Sequence, residues 1–257
     1  TLTPEVLVVT NIEFDHTDYY KDLADVQSAF RTLMVKTTGV IVTDATHPNI
    51  APLLSGLSAR IVDYTKEAAY ETKLPGEFNM MNALAAAATA RAITPAITDE
   101  QISTALGAFE GTWRRFEYKG KNANCADVYD DYAHHPTAVR KTLTELRKKT
   151  TGKLFVAFHP HLYSRTRDLL DDFATAFVGA DRVLIAPIYP AREVDDGSIS
   201  HTILASRITD TGVSAQGASV EEITSVLARE PQEGDTIVTM GAGDIYKVAD
   251  ALIIPQV

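Results

Sequence analysis

Residues 125–143 read CADVYDDYAHHPTAVRKTL, and the order of residue types in that stretch decides the fold class. Its apolar opening, near Cys125 to Tyr129, predicts a short strand. Pro136 suits the first turn of a helix and puts His135 near the N-cap. Between strand and helix lie Asp130, Asp131, Tyr132, His134 and His135. Strand, polar loop and helix in succession make half of a βαβ unit. Taken alone, the polar cluster fits three readings: a solvated helix start whose carboxylates favour the positive helix end, an anion site at a helix N-terminus, or a zinc site. The zinc reading lacks further ligands at fixed spacing.

The same pattern recurs downstream. KLFVAF predicts a strand, the next helix is expected from Asp168 with Leu169, Phe173 and Phe177 on one face, and RVLIAPI is another strand. SVEEITSVLARE carries a capping box, Ser219 with Glu222. DTIVTM is a strand, and a last helix follows GAGD. Upstream, strands are expected at about Glu5 to Ile12, in GVIVTD and in ARIVDY. Helices are expected over Leu23–Val35, in NMMNALAAAATARAI, and in TDEQISTALGAF capped by Thr98 with Gln101. Strands alternating with helices predict an α/β protein with a mainly parallel sheet. The boundary between two domains falls near residues 110–115. In open parallel sheets ligands bind outside the carboxyl ends of the strands, and four polar clusters sit there: DDYAHHP, HPHLYSRTR, YPAREVDDG and GAGD.

A net charge of −10 argues against nucleic acid or an anionic membrane as partner. One cysteine, Cys125, excludes an internal disulfide and fits a reducing compartment. No apolar run approaches the ~18 residues of a membrane span, so the cytoplasm is the expected location. The chain opens on Thr1 and is in the strand-like VLVVTNI within a few residues, so a preceding segment is expected to be missing.

Other clusters read less sharply one at a time. In FHPHLYSRTRDLLDDF, Arg165 and Arg167 suit bidentate contact with phosphate or carboxylate, or surface pairing with Asp168, Asp171 or Asp172; His159 and His161, flanking a proline in the same loop, favour a site. TNIEFDHTDYY gathers oxygen ligands that suit Mg²⁺ around His16, or forms a capped loop. Trp113 and the Tyr and Phe positions are expected in the core, and the glycines of GAGD in a tight turn.

Together and in this order, TNIEFDHTDYY, PGEFNMMNALAAAATA, FEGTWRRFEYKG, VYDDYAHHPTAV, FHPHLYSRTRDLLDDFA and MGAGDI resemble the Mur ligase family of peptidoglycan synthesis, in its alanine-adding type. The resemblance runs nearly end to end. It implies part of the central ATPase domain over residues 1–111 and a Rossmann-like C-terminal domain over 112–257, without the UDP-sugar domain. It also implies ATP and Mg²⁺ as cofactors, and UDP-N-acetylmuramate and L-alanine as substrates joined through an acyl phosphate. His16 resembles the magnesium ligand. Asn79 and Asn82 resemble contacts to adenine and nearby nucleotide atoms, and Asp131 the ribose carboxylate. Arg115 resembles the arginine that meets the phosphates, with Arg114 beside it. Tyr132, His134, His161 and Arg165 resemble the wall that orients alanine and the substrate carboxylate. His134, Arg165 and Arg115 are the catalytic candidates.

Three features depart from the family pattern. Phe78 stands in GEFN where the family has histidine, Leu162 stands in PHLYSRTR where it has arginine, and residues 65–76 are short. No G-x-x-x-x-G-K-[ST] loop is present; the nearest stretch is KTTGKL. No lysine suited to carbamylation follows His16, as in the alanine-adding type. The resemblance therefore implies a chain inactive by itself that associates with the missing part or with itself. The alternatives are a family relative that binds nucleotide or precursor without catalysis, and a His/Asp metal hydrolase.

Overall fold

The computed structural model describes residues 2–253. The chain separates into two compact units, Thr1–Glu110 and Gly111–Val257.

The first unit is built on three parallel strands in the order β1 (Val6–Val9), β2 (Val40–Thr43), β3 (Arg60–Asp63). Every residue of β2 is buried, and its alternation divides the core into two layers. Val40 and Val42 pack with α2 (Glu77–Ile93) and α3 (Asp99–Ala108), while Ile41 packs with Val26 and Met34 of α1 (Leu23–Lys36). α1 starts where the Asp22 carboxylate accepts from the Asp25 N–H at 2.8 Å. α3 has the expected capping box, with Thr98 and Gln101 bonded reciprocally. The alanines of α2 (Ala83, Ala85, Ala87, Ala88) are buried, which brings its backbone close to the sheet.

The second unit holds a six-stranded sheet, β4-β5-β9-β6-β7-β8. β5 (Asp127–Asp131), β9 (Thr236–Met240), β6 (Leu154–Phe158), β7 (Arg182–Ile185) and β8 (Ala215–Gly217) run parallel. β4 (Glu117–Lys121) pairs antiparallel with β5 at the edge. β6 and β9 are buried at every position, as central parallel strands require. Phe155 and Ala157 face α8 (Val220–Arg229) and α9 (Tyr246–Leu252). Phe158 faces the other layer, 5.5 Å from the Phe173 ring and 5.3 Å from Phe177. α4 (Pro136–Lys149) buries Val139, Leu143 and Leu146. The helix expected from Asp168 is two helices, α5 (Tyr163–Asp168) and α6 (Leu170–Ala176), broken at Leu169. α7 (His201–Thr209) precedes β8.

β9, the last strand in the chain, lies between β5 and β6. Strand order therefore reverses beside β9, and the crevice outside the carboxyl ends of β5, β9 and β6 is the topological switch point, where open α/β sheets take ligands.

Candidate functional site

Five of the residues singled out in sequence form one continuous row on that rim. Arg115 lies over the Tyr132 ring at 5.1 Å. Tyr132 and His134 meet edge to face at 5.2 Å, and the His134 and His161 ring centroids are 6.2 Å apart. Arg165 completes the row, with Nη1 3.2 Å from His161 Nδ1 and donating to the His161 carbonyl at 2.9 Å.

Each position is fixed by its local fold. β5 ends at Asp131, and the Asp131 carboxylate accepts from the Ala133 N–H and the Thr142 hydroxyl, both at 2.9 Å. The chain thereby turns into α4, whose N-cap is His135, its ring nitrogen facing the Thr137 N–H at 3.4 Å. His134 Nδ1 lies 2.9 Å from the Tyr132 carbonyl. His161 and Tyr189 continue the β6–β7 pairing as a parallel bridge, and their rings stack at 5.4 Å with planes 15° apart. Burial raises the Asp131 pKa; the Thr142 and Ala133 hydrogen bonds and Arg115 oppose this, while Asp130 adds to it.

The two adjacent arginines have different surroundings. Arg114 is buried with a positive φ of 59°. Its guanidinium donates to Asp130 at 2.7 Å, to the Gly243 carbonyl at 2.8 Å and to the Gly241 carbonyl at 2.7 Å. Asp130 also accepts from Thr239. Arg114 is thus a buried clamp that ties the start of the unit to the glycine turn after β9. Arg115 is exposed, and its guanidinium makes no hydrogen bond to a described residue.

Arg165 is 1% exposed, so its charge bears on His161 from beneath rather than on bulk solvent. Arg167 pairs with Asp168 at 2.9 Å and Asp196 at 3.5 Å, the surface pairing of the two sequence readings. Leu162 is 1% exposed with φ 74°, its N–H bonded to the Tyr189 carbonyl; it belongs to the core, not to the rim. Trp113, expected in the core, is 66% exposed. It packs edge to face on Tyr246 at 5.4 Å and beside Arg114, an arrangement that cations and aromatic edges favour without burial.

Asn79, Asn82 and His16 lie in the first unit. Asn79 and Asn82 share one face of α2, near its start. The Asn79 amide donates to the Pro75 carbonyl at 2.7 Å, and Asn82 is exposed. A cleft of about 610 Å³ opens beside the start of α2, lined by Tyr70, Glu71, Thr72, Leu74, Gly76, Glu77 and Met80, and neither Asn79 nor Asn82 lines it. Phe78 packs on Gly76, where an added Cβ would lie 2.7 Å from its ring. His16 is exposed in the loop after β1, with φ 52° and its N–H on Asp15 at 2.7 Å. Among the described residues no group of three His, Cys, Asp or Glu side chains is gathered to hold a metal, and no helix is long and apolar enough to cross a membrane.

Sequence reasoning left out Tyr189, and noted His159 only with His161, as the two histidines flanking Pro160. Tyr189 follows a strand, in a polar cluster already noted, and an aromatic at that position was the available signal. The packing of His159 against Gly241 and Gly243 was hidden because those glycines are far from it in sequence.

Fold and rim together define the class: an α/β protein with a polar row at the switch point of a parallel sheet, the place where such sheets take ligands. The sequence pattern of the family described as Mur ligase, glutamate ligase domain, matches residues 114–243, half of the chain. The chain belongs to the Mur ligase family. It is 35% identical over 281 aligned positions to UDP-N-acetylmuramate–L-alanine ligase of Clostridium botulinum strain Hall, covering 97% of this chain and 61% of that protein. It therefore spans about three fifths of the length of the curated relatives it matches. In fold it is similar to the UDP-N-acetylmuramate-alanine ligase of Thermotoga maritima (TM-score 0.70, 24% identity, 97% of this chain and 59% of that one). It is also similar to a bifunctional folylpolyglutamate synthase/dihydrofolate synthase determined with Mn, AMPPNP and L-glutamate bound (TM-score 0.71, 21% identity, 97% and 61%).

Proposed function

We propose that this chain carries the nucleotide- and amino-acid-facing part of an ATP-dependent ligase that joins L-alanine to UDP-N-acetylmuramate in peptidoglycan synthesis, in the cytoplasm. The observation that carries the reading is the continuous row Arg115–Tyr132–His134–His161–Arg165 at the switch point. Relatives with that activity in their name, 35% identical over nearly the whole chain, support it. In this reading residues 1–111 belong to the central ATP-binding domain and 112–257 form the C-terminal ligase domain.

The residues present fit the implied cofactors. Arg115, an exposed guanidinium that lies over the Tyr132 ring and makes no hydrogen bond to a described residue, suits a phosphate. Each Asp131 oxygen accepts one hydrogen bond inside the protein; an ionised carboxylate has about four acceptor sites, which leaves capacity for a ribose hydroxyl. In this reading Asn79 and Asn82, on one face near the start of α2, contact adenine and nearby nucleotide atoms. Mg²⁺ is a hard cation bound through carboxylates and phosphate oxygens with several waters kept; His16 would supply one position at most, with phosphate oxygens and waters holding the rest. ATP supplies the phosphoryl group that activates the muramyl carboxylate. Arg115 faces the phosphate charge, Tyr132 and His134 line the path of the incoming amine, and Arg165 holds the His161 ring in place beside them.

A second reading, binding without catalysis, is favoured by one observation: Leu162 is turned into the core where the family pattern has arginine. The chain has no G-x-x-x-x-G-K-[ST] loop of its own, so turnover requires the rest of the ligase in cis or in trans. Calorimetric titration with adenosine, ADP and ATP–Mg²⁺, alongside Asp131→Ala, tests the nucleotide half. Binding nearly equal for adenosine and ATP, and lost in the variant, supports this reading. Affinity that climbs steeply with each phosphate and survives the substitution overturns the assignment. Adding the missing domains in trans then separates the two readings, since only the first predicts phosphate release dependent on alanine.

A further inference from the structure

His159 stands at the end of β6 and is 6% exposed, and among the described residues no hydrogen-bond partner reaches its Nδ1. The Pro187 carbonyl takes a hydrogen bond from the ring. The glycine turn after β9 is fitted against this imidazole. A Cβ at Gly243 would lie 2.7 Å from His159 Nδ1, and one at Gly241 would lie 2.5 Å from the His159 carbonyl oxygen. The same turn is held by Arg114, through the carbonyls of Gly241 and Gly243. Imidazole and guanidinium therefore both grip one turn. Tyr132 lies against this clamp, its ring 5.3 Å from the Arg114 guanidinium and its N–H on the Arg114 carbonyl at 2.7 Å, and Arg115 lies on Tyr132 in turn.

We propose that His159 is a positioning residue: its imidazole seats the glycine turn, and through Arg114 the turn sets the placement of Tyr132 and Arg115, so that a proton on Nδ1 unseats the corner. This holds whatever ligand the corner takes, and is independent of the ligase reading. The groups facing the ring give the direction. The Asp244 carboxylate lies 3.8 Å from Nδ1 and is itself paired with Lys247 at 3.1 Å. The Tyr189 ring stands edge-on at 5.7 Å. Arg114, paired with Asp130, is a cation near enough to disfavour a charged ring. A neutral ring leaves Asp244 with Lys247. An imidazolium attracts Asp244, competes with Lys247 and repels Arg114, and all three changes pull on the turn. Burial, the largest cause, lowers the His159 pKa below its usual 6.5, with Asp244 and Pro187 opposing and Arg114 assisting.

The protein contains its own reporter. Trp113 is the sole tryptophan, packed on Tyr246 just after the turn and 5.8 Å from the Arg114 guanidinium. Tryptophan emission followed from pH 8 to pH 5, with far-ultraviolet circular dichroism in parallel, tests the proposal. The expected result is an emission step with its midpoint below 6.5 while helix content is unchanged, and loss of that step in His159→Gln, which keeps a hydrogen-bonding side chain and cannot titrate. A step at the same midpoint in His159→Gln, or no step in the parent chain, overturns it. Should His159→Gln fail to fold, Asp244→Asn decides. Without the carboxylate that favours the imidazolium, the midpoint must move to lower pH, and an unchanged midpoint overturns the proposal.

Discussion

At the scale of single residues, adjacent side chains of one type do different work because burial sorts them. Arg114 and Asp130 form an ion pair at 2.7 Å with side-chain exposures of 4% and 0%, and removing one partner of such a pair strands the other charge. Arg114→Met is expected to destabilise the second unit by about 3–5 kcal/mol, measured by urea unfolding. Arg115→Ala is expected to change stability by less than about 0.5 kcal/mol, as at other exposed sites, while removing any preference for ATP over adenosine in calorimetry. Equal stability loss in both variants would show that the two side chains share one structural role. Asp131 adds a pH test. Its folded pKa is raised above 3.8, so the unfolded chain gives up this proton first. The stabilising contribution is whole below pH 3.8 and is lost as pH rises through the folded value. Asp131→Asn keeps an acceptor for the Ala133 N–H, and the Thr142 hydroxyl can reverse its role. The variant is expected to lose that part of the pH slope, read from urea midpoints across the acid range.

At the scale of elements, turns and caps carry as much information as strands. Gly241 has φ 142°, and its missing Cβ lets the turn approach the His159 carbonyl. Gly241→Ala combines that clash with a backbone region disfavoured for L-residues, and a loss of about 1–3 kcal/mol is expected. Thr98→Ala, which opens the capping box of α3, should lower stability by about 1 kcal/mol; thermal unfolding measures both. Legibility in sequence followed the same physics. α1, α4, α8 and the fully buried β6 and β9 were readable because caps, Pro136 and continuous apolar runs are local signals. β4 was not, since EYKGK is a half-exposed edge strand with a register shift beside Gly120 and no apolar alternation. The break at Leu169 was hidden for a related reason: Leu169, Phe173 and Phe177 keep helical spacing across it. In the site, the row on the rim was legible through clustering after strands. The buried states of Arg114, Arg165 and His159, and the exposure of Trp113, depend on partners distant in sequence: Arg114 bonds residues 127 and 129 positions away.

At the scale of the whole molecule, the two units differ in how their sheets end. The six-stranded sheet closes one side with the antiparallel β4, whose Tyr118, Lys119 and Lys121 carry hydrogen bonds or ion pairs to Asp127, Glu117 and Asp250. The three-stranded sheet of the first unit has no such strand among the described residues. β1 pairs only with β2, and β3 only with β2. β1 is four residues long and presents Val8 at 41% exposure. An unpaired, apolar edge is a template for another strand, so the chain by itself is expected to self-associate through the first unit. Light scattering over a range of concentrations measures this. Val8→Lys, which sets a charge on that edge without touching the rim of the second unit, is expected to shift the chain toward the monomer and leave adenosine binding intact. A chain that is monomeric at every concentration, or an association indifferent to Val8→Lys, would mean that the β1 edge is not where copies meet.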